Sequence, residues 1–205
     1  MNRPLKVAAA SGIVALCIYL IIAPIVVLGI ENSPIRWIIS FLGIILGGTF
    51  SILFLNGFLV LGNKFKSTLL SVMSWIGIGL LILYLAFGTV MTFSLFIKNA
   101  SAIEAANIPF VDIDNLDYLF GEAVRAFVIF TIIVYVVSMA VIGTYSILFG
   151  VGLLILKRKV KYAPAAGILN IVAGATYIIM IGFVVAIAAR IVELVMLFKA
   201  SEKFE

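Results

Sequence analysis

Residues 163–198 read APAAGILNIVAGATYIIMIGFVVAIAARIVELVMLF, and this apolar stretch decides how many helices the chain forms. As one helix, this run of about 36 residues would measure about 54 Å, whereas the hydrocarbon core of a bilayer is about 30 Å thick. The alternative is a tight hairpin that turns near Gly182, with helices at 164–181 and 183–199. The two interpretations predict five and six helices, respectively.

Two features of the surrounding sequence favour the hairpin. Residues 165–168 (AAGI) resemble residues 10–13 (ASGI) near the start of the chain, where another apolar segment begins. A hairpin also brings Lys199 and Lys203 back to the side of the membrane that holds the other basic segments. We therefore expect six helices, and five helices with a long last one remain the alternative, because helices of about 17 residues are at the lower limit for a membrane span.

The composition of the whole chain indicates a membrane protein. Of 205 residues, 65% are hydrophobic and 11% are charged, whereas soluble domains are about half apolar and a quarter charged. The apolar runs are 7–30, 35–62, 67–97, 124–156 and 163–198. We predict an all-α, polytopic transmembrane bundle that forms a single domain over residues 1–205. Its three hairpins would be 7–62, 67–156 with an extracellular loop at 98–122, and 163–199.

The charges between the apolar runs predict the orientation. The breaks at 63–66 and 157–161 carry only basic charges, whereas 31–36 and 98–122 contain acidic residues. Cytoplasmic loops of membrane proteins are enriched in Lys and Arg. We therefore expect a multi-pass protein of the cell membrane with a cytoplasmic N-terminus and, if six helices form, a cytoplasmic C-terminus.

An internal repeat links the second and fourth apolar runs. Residues 48–67 read GTFSILFLNGFLVLGNKFKS, and residues 143–162 read GTYSILFGVGLLILKRKVKY. Eleven of the twenty positions are identical at a constant offset of 95. This match predicts a parallel repeat of helical hairpins, related by an axis along the membrane normal.

Two features of the chain resemble a small archaeal family of integral membrane proteins. One is the hairpin that ends in a short basic loop near residue 64, and the other is the closing segment AAGILNIVAGATYIIMIGFVVAIAARIVELVMLF. That family is catalogued as domain of unknown function 996. The resemblance covers most of the chain and implies an archaeal origin and a membrane-embedded fold, but no activity. Arg190 and Glu193 depart from the apolar character expected of this segment.

Several residue types that support catalysis or metal binding are scarce. The chain has no His and one Cys, Cys17, which lies inside an apolar run. The net charge of +5 comes from basic residues at helix ends, which membrane topology explains without nucleic acid. Acid–base candidates do not converge on a site. We therefore expect no enzyme activity, no cofactor, no metal site and no nucleic-acid partner.

Small and polar residues recur at helical spacing and predict close helix packing. A homo-oligomer interface is the alternative use of these faces. The predicted packing residues are Ser40, Gly43, Gly47, Ser51, Gly143, Ser146, Gly150, Gly167, Asn170 and Gly174.

Two further features concern the membrane surfaces. The basic cluster Lys157, Arg158, Lys159 and Lys161 sets the topology and is a candidate contact for anionic lipid headgroups. Asn99 begins an Asn–Ala–Ser sequon in the loop expected outside, so it is a candidate glycosylation site.

Arg190 and Glu193 form a candidate ion pair within the membrane. They lie three residues apart, on one face of a helix. With six helices Glu193 is near the middle of the membrane, where an unpaired charge costs at least about 2.5–3.5 kcal/mol. The pair is therefore either a structural element or part of an ion or proton path.

These observations favour a non-enzymatic structural or accessory component of a membrane, in contact with lipids and with a second copy or another membrane protein. The alternative is a small transporter or channel that uses Arg190 and Glu193.

Overall fold

A computed structural model describes residues 3–27, 34–104 and 116–203. Six α-helices and a short 3₁₀ turn make up nearly all of these residues. They are α1 (Arg3–Val27), α2 (Pro34–Lys64), α3 (Thr68–Glu104), α4 (Leu116–Ile155), α5 (Ala163–Thr176), the 3₁₀ turn Tyr177–Ile179 and α6 (Ile181–Lys203). The helices form three hairpins, which confirms the six-helix prediction.

The hairpins close into a ring. Each helix packs against its neighbours in sequence, and α6 returns to contact α1. Of the residues described, α1, α2, α3, α4 and α6 contain segments long and apolar enough to cross a membrane, whereas α5 is a shorter apolar helix of 14 residues. Many large apolar side chains on the outside of the ring are exposed, as expected for a surface solvated by lipid.

The last apolar run bends two residues before the predicted position. Met180 adopts a left-handed conformation with φ of 61° and donates its backbone N–H to the carbonyl of Tyr177. Gly182 is not the turn residue but lies in the first turn of α6, where a Cβ atom would meet the Ala173 oxygen and the Tyr177 nitrogen at 2.5 Å. Its missing side chain lets α6 pack against the end of α5.

Both ends of the segment expected as the loop 98–122 are helical instead. Helix α3 continues to Glu104, and α4 begins at Leu116. Asn99 is therefore in the last turns of α3. Residues 105–115 lie outside the described part of the chain. Glycosylation of Asn99 stays a prediction.

One end of the ring gathers the basic residues, and we call it the basic end. The Lys159 ammonium donates to the Phe65 carbonyl at 3.2 Å, and Lys203 donates to the Lys159 carbonyl at 3.3 Å. These bonds join the α2–α3 turn, the α4–α5 turn and the end of α6. The charged residues described there are Arg3, Lys6, Lys64, Lys66, Lys157, Arg158, Lys159, Lys161, Lys199, Lys203 and the acid Glu202.

The hydrophobic core is densest in the half of the bundle next to the basic end. Phe58 of α2 makes edge-to-face contacts with Phe54 and with Phe149 of α4, each with ring centroids 5.1 Å apart. Leu61, Leu153 and similar side chains fill the space towards the basic end. In α4, the described residues from Val128 to Ile142 are mostly exposed, so the bundle is closed at the basic end and more open at the other.

The repeat-related helices α2 and α4 both end at the basic end and so run in the same direction. Gly57 of α2 is next to Ala8 of α1, and Gly152 of α4, which matches Gly57 in the repeat, is next to Leu70 of α3. Corresponding glycines thus allow the same close approach within the first and the second hairpin. These placements agree with a parallel repeat, which remains a prediction about the origin of the chain.

Candidate functional site

The candidate site is built around Glu193, a carboxylate in the interior of the ring. Helix α6 places Arg190 one turn before Glu193, so both side chains lie on the face that α6 turns inward. The Arg190 Nη1 donates to Glu193 Oε2 at 3.1 Å. Glu193 is 2% exposed. A buried carboxylate needs partners for both oxygens, because an isolated charge in a low-dielectric interior is costly.

Asn170 of α5 supplies the second partner. Its Nδ2 donates to Glu193 Oε1 at 2.6 Å and to the Ala166 carbonyl at 2.9 Å. The Ser146 hydroxyl of α4 donates to the backbone carbonyl of Asn170 at 2.9 Å. Helices α4, α5 and α6 are thus joined by one network, and both oxygens of the carboxylate accept a hydrogen bond.

Small residues bring α4 close enough to α5 for this network. A Cβ atom on Gly143 would lie 2.7 Å from the Gly174 carbonyl oxygen, and one on Gly150 would lie 2.6 Å from that of Gly167. The predicted packing residues of α4 and α5 therefore face each other within the monomer. Asn170 does more than pack, because it also holds the carboxylate of α6.

Arg190 extends from the pair towards α2. Its guanidinium carbon lies 4.5 Å from the ring centroid of Phe54, a geometry typical of a cation–π contact. The Arg190 side chain is 41% exposed, whereas that of Glu193 is 3% exposed. The guanidinium has five N–H donors, so one bond to Glu193 leaves donors for another group.

The exposed part of Arg190 faces a cavity of about 420 Å³ inside the ring. Every one of the six helices contributes to its wall, which is largely apolar. The polar residues in that wall are Tyr19, Ser51, Tyr84, Tyr145, Asn170, Arg190 and Glu193.

The cavity continues towards the end of the bundle opposite the basic end. A second space of about 290 Å³ is lined by Ser40, Gly43 and Thr92, among others. Tyr19 and Tyr84 line both spaces. A smaller pocket of about 70 Å³ lies between Tyr19, Ser51 and Arg190.

The predicted packing residues of α2, which form a stripe at positions 40, 43, 47 and 51, thus have mixed roles. Gly47 does pack, because a Cβ atom there would lie 3.1 Å from the ring of Tyr19. Gly43 packs closely on Ile22 of α1 and also lines the second space. Ser40 and Ser51 line cavities.

The aromatic residues of the site are not evident from the sequence, and they are Tyr19, Phe54, Tyr84 and Tyr145. Tyrosine and phenylalanine are common in apolar helices, and nothing in their spacing separates these four from those that face lipid. Tyr145 stacks on Phe149 with centroids 5.9 Å apart. Its hydroxyl oxygen is buried and has no hydrogen-bond partner in the described structure.

The basic cluster lies apart from this site. Lys159 closes the basic end, and Lys161 lies 5.3 Å from the ring centroid of Tyr162. Lys157, Arg158, Lys159 and Lys161 are all exposed, so this surface is open to headgroups. Lipid binding there stays a prediction.

The chemistry of the site is that of hydrogen bonding. In the described ranges, no three Cys, Asp or Glu side chains come together as a metal-binding group would require. Glu193 has both oxygens bonded, and the donors left free among the described residues of the site belong to Arg190 and Tyr145. The arrangement suits recognition of an oxygen-bearing group in an apolar chamber.

The chain was compared with protein-family models, with curated proteins and with solved structures, and none of the three comparisons finds a match.

Proposed function

We propose that this chain is a multi-pass membrane protein that binds a small solute in its interior cavity and moves it across or within the bilayer, as a small transporter. The supporting observation is that Arg190 faces a cavity of about 420 Å³ instead of being packed shut. A purely structural ion pair has no need of such a space. The network through Asn170 and Ser146 holds Glu193, and Glu193 in turn orients the guanidinium.

The geometry also limits what the solute presents. The remaining N–H groups of Arg190 are donors, and tyrosine hydroxyls can donate as well, so the matching group carries hydrogen-bond acceptors. Most of the cavity wall is aliphatic or aromatic, so the rest of the solute is apolar. Both oxygens of Glu193 accept hydrogen bonds, so this carboxylate of the described cavity wall is not free to move protons. We therefore propose binding and passage without catalysis, cofactor or metal.

Thiol reactivity tests whether the cavity is an accessible chamber. In a Cys17→Ala background, Ser51→Cys places the thiol in the cavity wall. We expect it to react with methyl methanethiosulfonate, a small neutral reagent, because the cavity admits it. Mass spectrometry of the intact protein in detergent measures the extent of reaction.

Ser74→Cys is the matched control. Ser74 is 0% exposed, lines none of the spaces described above, and its hydroxyl donates to the Leu70 carbonyl at 2.8 Å. It should stay unmodified while the protein is folded. Equal protection of both cysteines would refute the chamber and leave the ion pair a structural role.

The basic end supports the sidedness that we propose, with both termini in the cytoplasm of a cell whose plasma membrane holds the protein. A cysteine in a C-terminal tag should react with an impermeant maleimide after permeabilisation, not in intact cells. Asn107→Cys, in the acidic segment between α3 and α4, should react in intact cells. Labelling of the tag from outside would contradict this orientation.

A second candidate function is a structural or accessory component, and the surface of α4 favours it. Of the most apolar 18-residue stretch in its span Val128–Ile155, only 6% is buried within the monomer. The exposed side chains include Ile129, Phe130 and Ile133. Lipid, a second copy or another membrane protein would cover this face in the bilayer.

No nucleic acid is expected to bind. The archaeal origin implied by the family resemblance is also part of the proposal.

A further inference from the structure

Helices α3 and α4 pack against each other less closely than the other neighbouring pairs of the ring. Between them lies a groove of about 510 Å³ on the outer surface, where the bilayer would be. Met73, Ile76 and Leu80 line it from α3, and Val137, Ala140 and Thr144 are among its residues on α4. Its walls are almost entirely apolar. From Val137 to Leu148 the groove follows α4 for about 16 Å at 1.5 Å per residue.

This groove adjoins the interior cavity. Leu80, Val141 and Tyr145 line both spaces. Tyr145 lies at the boundary, and its buried hydroxyl has no hydrogen-bond partner among the described residues. A Cβ atom on Gly77 of α3 would meet that hydroxyl, so the absence of a side chain at Gly77 makes room for the phenol ring of Tyr145. A buried hydroxyl without a partner has lost its hydration, and a ligand oxygen beside it would restore a hydrogen bond.

The charges indicate the chemistry of the occupant. Glu193 neutralises Arg190 within the site, so an anionic head would add a net negative charge to a low-dielectric interior. A cationic head would face the guanidinium. A neutral head that carries a hydroxyl or carbonyl oxygen fits the free donors of Arg190 and Tyr145, and the apolar groove fits a single alkyl chain.

We propose that the cleft between α3 and α4 is a lateral portal for a neutral single-chain amphiphile, which enters from the bilayer and places its oxygen-bearing head beside Arg190 and Tyr145. Its alkyl chain then lies in the groove between α3 and α4. This inference rests on the proposed function, and it names the class of solute and the side from which the solute enters.

Photolabelling tests the portal. The full chain is reconstituted in phosphatidylcholine vesicles with hexadecanol that carries a diazirine in its chain, irradiated and analysed by peptide mass spectrometry. We expect saturable labelling at residues 73–80 and 137–148. Unlabelled hexadecanol should compete with the probe, and it should slow the reaction of Ser51→Cys with methyl methanethiosulfonate.

Two alanines give a matched pair of variants. Ala140 and Ala188 are both exposed on apolar helices, but Ala140 lines the groove whereas Ala188 is on α6. Ala140→Phe should fill the groove and lower the labelling at residues 73–80 about tenfold, which corresponds to about 1.4 kcal/mol. Ala188→Phe should leave it unchanged. Equal labelling of both variants would overturn the portal.

The chemistry of the amphiphile's head group is tested with probes that differ only in their head group. Tyr145→Phe should weaken the labelling by the hexadecanol probe and leave that by a diazirine-bearing hexadecane unchanged. Equal, non-saturable labelling by both probes in the wild-type protein would mean that ordinary bilayer lipid fills the groove. A third probe, a diazirine-bearing hexadecanoate, carries an anionic head, and stronger labelling by it than by the hexadecanol probe would overturn the neutral head.

These outcomes are distinguishable from a failure of the proposed function. If Ser51→Cys reacts but the groove is not labelled, the chamber stands and the portal is wrong. If Ser51→Cys is inert, the chamber itself is wrong.

Discussion

Replacing Arg190 by leucine should lower the free energy of unfolding by about 3–5 kcal/mol, the range for breaking a buried ion pair. The change leaves the Glu193 carboxylate inside the ring with Asn170 as its remaining hydrogen-bond partner. Glu193→Leu should cost less, because the Arg190 side chain is 41% exposed to the cavity and keeps its contact with Phe54. Thermal unfolding of the purified variants in detergent measures both effects.

The double variant Arg190→Leu/Glu193→Leu should recover most of the loss, because no unpaired charge remains. Asn170 still donates to the Ala166 carbonyl. If the pair serves solute binding, this stable double variant should also lose the saturable labelling by the hexadecanol probe. Additive losses in stability would contradict the interpretation of the two residues as a buried pair.

The exposed pair Lys199–Glu202 is the control, with the same spacing on the same helix and a distance of 2.8 Å. Both of its side chains are about half exposed, so water solvates each charge when the other is removed. Lys199→Leu and Glu202→Leu should unfold like the wild-type protein. An equal loss at this pair would show that the effect at Arg190 does not arise from burial.

Replacing Gly182 by alanine should destabilise the protein by about 3 kcal/mol, at the upper end of the cost of overpacking. The added Cβ atom would lie 2.5 Å from the Ala173 oxygen and the Tyr177 nitrogen. Both are backbone atoms, which cannot rotate away as a flexible side chain would. Relief therefore requires α6 to move from α5, which stretches the network between Asn170 and Glu193. Thermal unfolding in detergent measures the loss.

Gly79→Ala is the matched substitution, in α3 at a position where a Cβ atom would have none of the described residues within 4 Å. It should be neutral or stabilise α3 by up to about 1 kcal/mol, because alanine favours helix over glycine. If Gly182→Ala were equally mild, the close crossing of α5 and α6 would be wrong.

Sequence alone determined the class of the protein and favoured six helices paired into hairpins over five, and the structure settled the number at six. The class and the preference follow from the lengths of the apolar runs, since a span needs about 20 residues and a run nearly twice as long favours a turn. The spacing of Arg190 and Glu193 likewise follows from the helix itself, because residues three apart share a face. Such features depend on local periodicity and length.

The position of the last turn needed the tertiary structure. Glycine at 182 suggested the turn, yet Met180 takes the left-handed conformation and Gly182 serves a close helix crossing. A sequence shows that a residue is small. It does not show whether the small size is needed for a left-handed backbone conformation or for close contact with a neighbouring helix. The same ambiguity applied to the stripe on α2, where Gly47 packs against Tyr19 and Ser51 lines the cavity.

Only the tertiary structure decided which groups meet at the site. Asn170 and Glu193 are on different helices, and their contact depends on the exact packing of α5 against α6 and on the glycines between α4 and α5. The cavity arises because six helices close into a ring while α3 and α4 stay apart. Apolar helices in lipid have no hydrophobic drive to associate in one arrangement, so close packing and interhelical hydrogen bonds select the partners.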